Sequence, residues 1–416
     1  MNILWVSSFF PFPPDNGAKI RGYFLIRELS KWNEISVFSL IQSPQELENI
    51  EPLQQICREV YGILPGDKLF GSLDGRRRWY DVPMGMFFPH PKYFFGPPSK
   101  NVVEKLTQVM IHGKYDLVIT EPLMMINYLW DLLNHHQRPL MVLSELNVES
   151  LIQEQTYLFA RGDIQKLRKY IYFRSFISLE RTACEKFDHI LVVSDKDMDQ
   201  LLRLFPSISR DRLSLVPNGV DVNWYDIGEV THEENTLIYN GALTYIANYD
   251  AVKYFLKEIF PLILLEVPQI KLIITGRTDG VDISSLPYSD HIIFTGYVSD
   301  IRPVVKSSSV CVVPLRVGGG TRLKILEALA IGTPVVATAK GAEGLRLESG
   351  RDLLIANSPE EFAENVVKLL RDPDLREFLT RNARSSIDEI YGWSHIGHKL
   401  QASLEHLLDS RVRGAG

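Results

Sequence analysis

Short apolar runs alternate with longer stretches whose apolar residues recur at helical spacing, and this alternation is laid down twice along the chain. Ile3–Val6, Ile35–Leu40, Leu117–Thr120, Leu140–Leu143, Ile190–Val193 and Leu213–Val216 read as strands of a first sheet. A polar stretch from Asp226 to Asn235 interrupts the pattern. It restarts with Leu237–Tyr239, Leu272–Thr275, Ile292–Thr295, Val310–Val313 and Val335–Ala337. Strands separated by helices pair in parallel, so the pattern predicts an α/β protein of two Rossmann-like parallel-sheet domains. They are expected over residues 1–221 and 236–385, with the boundary near Val222–Thr236. A last segment, 386–410, carries Ile396, Leu400, Leu404, Leu407 and Leu408 at helical spacing. The first strand runs into Phe10-Pro11-Phe12-Pro13-Pro14-Asp15-Asn16-Gly17, which cannot be regular structure, and a helix is predicted from about Ala18 to Lys31.

The 416 residues suit two domains better than one core. A formal net charge of -6 argues against a nucleic-acid partner, which calls for a basic surplus. Cys57, Cys184 and Cys311 are widely spaced and show no metal or redox pattern, so a reducing, cytoplasmic setting is expected. The first residues lack a basic leader, and no apolar run approaches the roughly 20 residues that span a bilayer. A basic and aromatic stretch, Arg76-Arg77-Arg78-Trp79-Tyr80, with Met84, Met86, Phe87, Phe88, Tyr93, Phe94 and Phe95 nearby, has two readings. It faces a membrane or lipid acceptor peripherally, or it packs onto the first domain; packing is favoured for most of the aromatics.

The most informative segment runs from Pro314 to Pro334. A strand ends at Val313, Gly318-Gly319-Gly320 follow, and a helix is predicted from Thr321 to Ile331, stopped by Gly332 and Pro334. Glycines let backbone approach a ligand, and a helix start offers unpaired N–H groups, so the segment has the makings of an anion site. Arg322 and Lys324 fall in the expected first turn, where the helix dipole disfavours cations and a bound diphosphate would reverse that sign. Glu327 lies one turn below, placed to accept hydrogen bonds from ribose hydroxyls. The plain alternative is a flexible turn followed by a solvated Lys324–Glu327 pair.

The segment Leu326-Glu327-Ala328-Leu329-Ala330-Ile331-Gly332-Thr333-Pro334-Val335-Val336-Ala337 resembles the donor-site signature of the retaining GT-B glycosyltransferases called group 1 or family 4. Val216-Pro217-Asn218-Gly219-Val220-Asp221 is similar to that family's interdomain segment. Phe294-Thr295-Gly296-Tyr297-Val298 resembles its nucleobase loop, and Tyr391-Gly392-Trp393-Ser394 the start of a final helix that returns to the first domain. The resemblance implies a GT-B fold with two domains facing a cleft, a nucleotide diphosphate sugar as donor substrate, no other cofactor and no metal. It also implies a glycan or lipid-linked acceptor, and the Gly-Gly-Gly-Thr-Arg-x-Lys loop points to the bacterial polysaccharide-assembly subgroup.

The chain departs from the family in two places. The first of the family's two acids falls at Gly319, and the basic residues usual after the first strand of the second domain are missing from Asn240–Asp250. Arg322 and Lys324 are therefore expected to carry the phosphate charge. The expected donor site comprises Gly17, Gly318, Gly319, Gly320, Thr321, Arg322, Lys324, Glu327 and Val298, with Glu145 as a catalytic carboxylate beside Arg322 and Lys324. Glu145 follows the strand Leu140–Leu143, where the family often places a His; the competing reading is a helix start. Arg21 reads equally as a site residue or a surface arginine. Asp195-Lys196-Asp197-Met198-Asp199 resembles a metal-binding acid pattern, but Ser194 and Asp197 suit a helix cap instead. Two other functions remain on the same scaffold: a nucleotide-sugar epimerase and a non-catalytic nucleotide-binding relative.

Overall fold

The structure is a computed structural model that describes residues 1–65, 84, 87–88, 90–135, 137–158, 160, 162–318 and 322–414. The chain divides into two compact units, Met1–Pro217 together with Ile396–Gly416, and Asn218–His395.

The first unit holds a seven-stranded parallel sheet in the order β3-β2-β1-β4-β5-β6-β7. Its strands are β1 Asn2–Ser7, β2 Glu34–Leu40, β3 Glu59–Ile63, β4 Leu117–Glu121, β5 Leu140–Ser144, β6 His189–Val192 and β7 Leu213–Leu215. All are in register in parallel pairs, such as Trp5 opposite both Val37 and Ile119. The strands read as near-continuous apolar runs because helices cover both faces; Ile3, Leu4, Trp5 and Val6 are fully buried. Strand β3 was not foreseen: Glu59-Val60-Tyr61-Gly62-Ile63 sits at the sheet edge, where the burial that produces an apolar run is incomplete.

The second unit repeats the plan with six strands in the order β10-β9-β8-β11-β12-β13. These are β8 Glu233–Asn240, β9 Lys271–Thr275, β10 Ile292–Gly296, β11 Ser308–Val313, β12 Val335–Ala337 and the two-residue β13 Leu354–Ile355. Residues 218–235 belong to this unit. The helix Trp393–Gly414 begins in the second unit, and from Ile396 onward it belongs to the first. There Ile396, Leu400 and Leu404 are buried, and Ser403 shares a hydrogen bond with Ser214 of β7 at 2.6 Å.

Both sheets reverse their strand order once, between β1 and β4 and between β8 and β11. At such a switch point the connections leave in opposite directions and open a crevice beyond the carboxyl ends of the strands. The two crevices are filled differently. In the first unit, Arg21 from the helix Gly17–Leu29 is fully buried against Glu121 at the end of β4, Nε to Oε1 3.5 Å. Its Nη1 also donates to the carbonyls of Val216 at 2.8 Å and Pro217 at 3.2 Å. The surface reading of Arg21 is thus overturned. Its stem fills the crevice, and its head satisfies the buried carbonyl of Val216 and the partly buried one of Pro217.

Candidate active site

In the second unit the crevice holds a lysine. The helix after β11 spans Leu323–Ile331, two residues shorter at its start than the sequence predicts. Arg322 has non-helical backbone angles and stands at the N-cap, and Lys324 is the second helical residue. The helix stops where expected, at Gly332, whose φ of 95° is the left-handed conformation that glycine tolerates.

Lys324 turns back over the end of β8. Its Nζ lies 3.2 Å from the hydroxyl of Tyr239, 3.1 Å from Oδ1 of Asn248 and 4.3 Å from the centre of the Tyr239 ring. The Tyr239 hydroxyl donates to the same Asn248 Oδ1 at 2.8 Å, and Asn248 Nδ2 donates to the carbonyl of Ala242 at 2.9 Å. The triangle thus ties the loop after β8 to the helix after β11. Gly241 packs closely beside it: a Cβ there would stand 2.7 Å from the lysine nitrogen and 2.9 Å from Asn248 Nδ2, and would displace both. The ammonium therefore occupies the end of β8, where the stretch Asn240–Asp250, running from the strand end into the helix Ile246–Tyr254, has no basic residue of its own. Burial lowers its pKa to about 8. Among the described residues, a cation held at this cost, at a helix start, lacks an anionic partner of full strength.

Arg322 is buried, and its Nη2 donates to the carbonyls of Gly318 at 2.9 Å and Lys340 at 3.4 Å. Part of its guanidinium thus braces the Gly318 carbonyl, a use the sequence did not suggest. Gly318 itself takes a φ of 107°. Gly319, Gly320 and Thr321, expected to supply N–H groups, lie outside the described residues. Glu327 is partly buried and accepts a hydrogen bond from the Tyr225 hydroxyl at 2.8 Å. Burial raises its pKa, while Tyr225 and Lys324 act to lower it. The structure thus groups Gly318, Arg322, Lys324 and Glu327 beyond the ends of β8 and β11. Val298 lies just past β10, at the edge of the same sheet.

Gly17 and Glu145 belong to the first unit. Gly17 opens its helix, and the Asn16 side chain caps it by accepting from the Lys19 N–H at 3.2 Å. Glu145 directly follows β5 and is 2% exposed, with no hydrogen-bond partner at either carboxyl oxygen among the described residues. Burial, then the charges of Glu180, Glu149 and Asp197, push its pKa well above the usual carboxylate range. Glu180 in turn accepts from the backbone N–H of Glu149 at 2.7 Å and caps the helix Glu149–Leu158. An ionised carboxylate was expected at Glu145, but its surroundings favour the neutral acid.

The Asp195–Asp199 stretch is a helix start. Ser194 Oγ accepts from the Asp197 N–H at 3.1 Å, as the capping pattern predicted. Among the described residues no His, Cys, Asp and Glu side chains group as a metal site, and no helix is long and apolar enough to cross a membrane. Arg76–Tyr80 and Met86 lie outside the described residues. Of the aromatics nearby, Phe94 is buried against Phe176 at 5.7 Å, whereas Phe87 and Phe88 are exposed.

Sequence reasoning missed Tyr239, Asn248 and Tyr225. Tyr239 reads as an ordinary strand residue, and Asn248 lies early in the helix Ile246–Tyr254, in a stretch notable for lacking a basic residue. The one available signal was the missing cation itself, which required a lysine from elsewhere to fill the place.

Comparison with known proteins agrees with this geometry. The family profile described as Glycosyltransferase Family 4 matches residues 16–224, and that described as Glycosyl transferases group 1 matches residues 234–372. An uncharacterized glycosyltransferase of Methanocaldococcus jannaschii is 27% identical over 229 residues, covering 50% of this chain and 57% of that protein. An uncharacterized 44.6 kDa protein in the cps region of Klebsiella pneumoniae is 22% identical over 406 residues, covering 94% of this chain and 96% of its own length. Among solved structures, Anabaena HepE in complex with UDP and glucose superposes with a TM-score of 0.63 at 15% identity, covering 98% of this chain and 100% of that one. That likeness shows the GT-B fold. The chain belongs to the group 1, family 4 glycosyltransferases and is a glycosyltransferase of GT-B fold.

Proposed function

We propose that the chain is a retaining glycosyltransferase that moves a sugar from a nucleotide diphosphate donor to a glycan or lipid-linked acceptor, without a bound metal. The observation that carries this reading is Lys324, a desolvated ammonium held by Tyr239 and Asn248 at the switch point of the second sheet. As the glycosidic bond to phosphate breaks, negative charge grows on the leaving diphosphate. A fixed cation in a water-poor site stabilises that charge far more than one in bulk solvent. Arg322 adds a second cation and holds the Gly318 carbonyl, and the segment Gly318–Thr321 is proposed to supply N–H groups to the anion site. Glu327 accepts from the ribose hydroxyls, and Val298 lies where the nucleobase loop runs.

The acceptor hydroxyl then attacks the face from which the diphosphate departs, as retention requires. Glu145, as a neutral acid, donates a hydrogen bond instead of offering a negative charge. HepE, of similar fold, was captured with UDP and glucose, which supports a nucleotide sugar donor here. We place the protein in the cytoplasm with peripheral contact at the inner face of the membrane. Thermal shift with UDP, GDP and ADP, then with their sugars, tests the reading. One nucleoside diphosphate should raise the melting point, and its sugar should then be consumed. A protein indifferent to all three would overturn it.

A further inference from the structure

We infer that Tyr225 is a positioning residue that fixes the Glu327 carboxylate for the ribose, and so sets the preference for ribonucleotide over deoxyribonucleotide donors. The inference rests on Glu327 as the ribose acceptor in the function proposed above.

Tyr225 lies between the end of the first unit and β8, in Val222-Asn223-Trp224-Tyr225-Asp226, and is 5% exposed. Its hydroxyl donates to Glu327 Oε1 at 2.8 Å across a sequence separation of 102 residues. The ring's position is fixed by its neighbours. Asp221 Oδ1 accepts from the N–H groups of Asn223 and Trp224, both at 3.1 Å, and its carbonyl accepts from the Tyr225 N–H at 3.1 Å. The Arg302 guanidinium lies 4.9 Å above the Trp224 ring, and its Nη1 donates to the Trp224 carbonyl at 2.6 Å. Asp300 holds Arg302 in turn, Nε to Oδ1 at 2.8 Å. Arg384 Nη2 donates to Asp226 Oδ2 at 3.0 Å. A turn, a stacked arginine and a second arginine therefore pin five residues whose one inward hydroxyl meets Glu327.

The contact suits a ligand-binding carboxylate. An ionised carboxyl has about four acceptor positions on its two oxygens. Tyr225 takes one on Oε1, which leaves Oε2 and the rest of Oε1 for two neighbouring hydroxyls. The same bond fixes the torsion of the carboxyl plane before the ligand arrives, so that ordering cost is met in advance. It also supports ionisation. Burial opposes a charge on Glu327, and the Tyr225 hydroxyl and Lys324 are the groups that favour it. The phenol remains a donor, because burial and the adjacent carboxylate raise its pKa.

Calorimetric affinities for UDP, GDP and ADP and their 2′-deoxy counterparts test this in four proteins: wild type, Tyr225→Phe, Glu327→Ala and the double variant. For the base that binds, the wild type should prefer the ribose form by about tenfold, the worth of one charge-assisted hydrogen bond. Glu327→Ala should abolish the preference. Tyr225→Phe should cut it by roughly three- to tenfold and move the acid limit of binding to higher pH. In the Glu327→Ala background the same change should do nothing further. If Glu327→Ala keeps the wild-type preference, the ribose reading of Glu327 fails. If Glu327→Ala loses it and Tyr225→Phe keeps it, the positioning role alone is overturned. If Tyr225→Phe lowers affinity equally with and without Glu327, the tyrosine is a packing element and the inference is equally refuted.

Discussion

The lysine at the switch point predicts a proton uptake that accompanies donor binding. Its pKa of about 8 in the empty protein means that about half of the molecules carry the ammonium at pH 8, and roughly a tenth at pH 9. A diphosphate against Lys324 supplies the missing counter-charge and returns it toward the ordinary lysine value of about 10.4. Binding should then take up about 0.1 proton at pH 7, about 0.5 at pH 8 and about 0.9 at pH 9. Titration calorimetry in buffers of different ionisation enthalpy reads this number directly, since the apparent heat changes with the buffer in proportion to the protons exchanged. At pH 8 and 9 the β-phosphate, whose last ionisation falls about one unit or more lower, is already ionised, so the uptake there belongs to the protein. Lys324→Met removes the titrating group. The variant should bind the same nucleoside diphosphate about 10- to 150-fold more weakly, with the uptake gone. An unchanged uptake in Lys324→Met, or none in the wild type between pH 8 and 9, would refute the reasoning.

Three further outcomes follow from the buried charges and the cap. Glu145→Gln removes an acid whose pKa is raised in the folded protein, and the folded state of the wild type therefore holds the extra proton. Its contribution to stability is complete below the unfolded-state value and declines as pH rises above it, so the variant should gain on the wild type with rising pH; a pH-independent difference in scanning calorimetry would contradict this. Arg21→Met strands Glu121 in the first unit's crevice, and a loss of about 3–5 kcal/mol is expected, read as a lower melting transition. Wild-type melting would show that the crevice tolerates the lone carboxylate. Chelator should leave turnover intact, because Asp195 and Asp197 begin a capped helix; activity lost with EDTA and regained with Mg²⁺ or Mn²⁺ would overturn the metal-free reading.

The fold was legible wherever strands are central and apolar on both faces, as in β1 Asn2–Ser7 and β11 Ser308–Val313. It was not legible at the edges. β3 Glu59–Ile63 is half-buried and β13 Leu354–Ile355 too short to make a pattern. The site was half legible. Glycine, arginine, lysine and glutamate after a strand marked a candidate anion site, and the absent cation near Asn240 drew attention to Lys324, which the structure places at the end of β8. What failed was the geometry of individual side chains. Arg322 is an N-cap residue and not a first-turn residue: its backbone leaves the helical angles, and its guanidinium reaches the carbonyls of Gly318 and Lys340. Arg21 was equally hidden, since its partners are separated from it by up to 196 residues. Periodicity reports which face of an element is apolar; it does not report which distant carbonyls a buried guanidinium will satisfy.

The central claim is that donor diphosphate departs against Lys324, and the release of nucleoside diphosphate from labelled UDP-, GDP- and ADP-sugars tests it most directly. The wild type should consume one donor, slowly by hydrolysis alone and faster with a glycan or lipid-linked acceptor. Lys324→Met, folded as judged by its melting curve, should release product at least about tenfold more slowly, the loss of a single charge-assisted contact. A wild type that consumes no donor, or a Lys324→Met variant as fast as the wild type, would contradict the account.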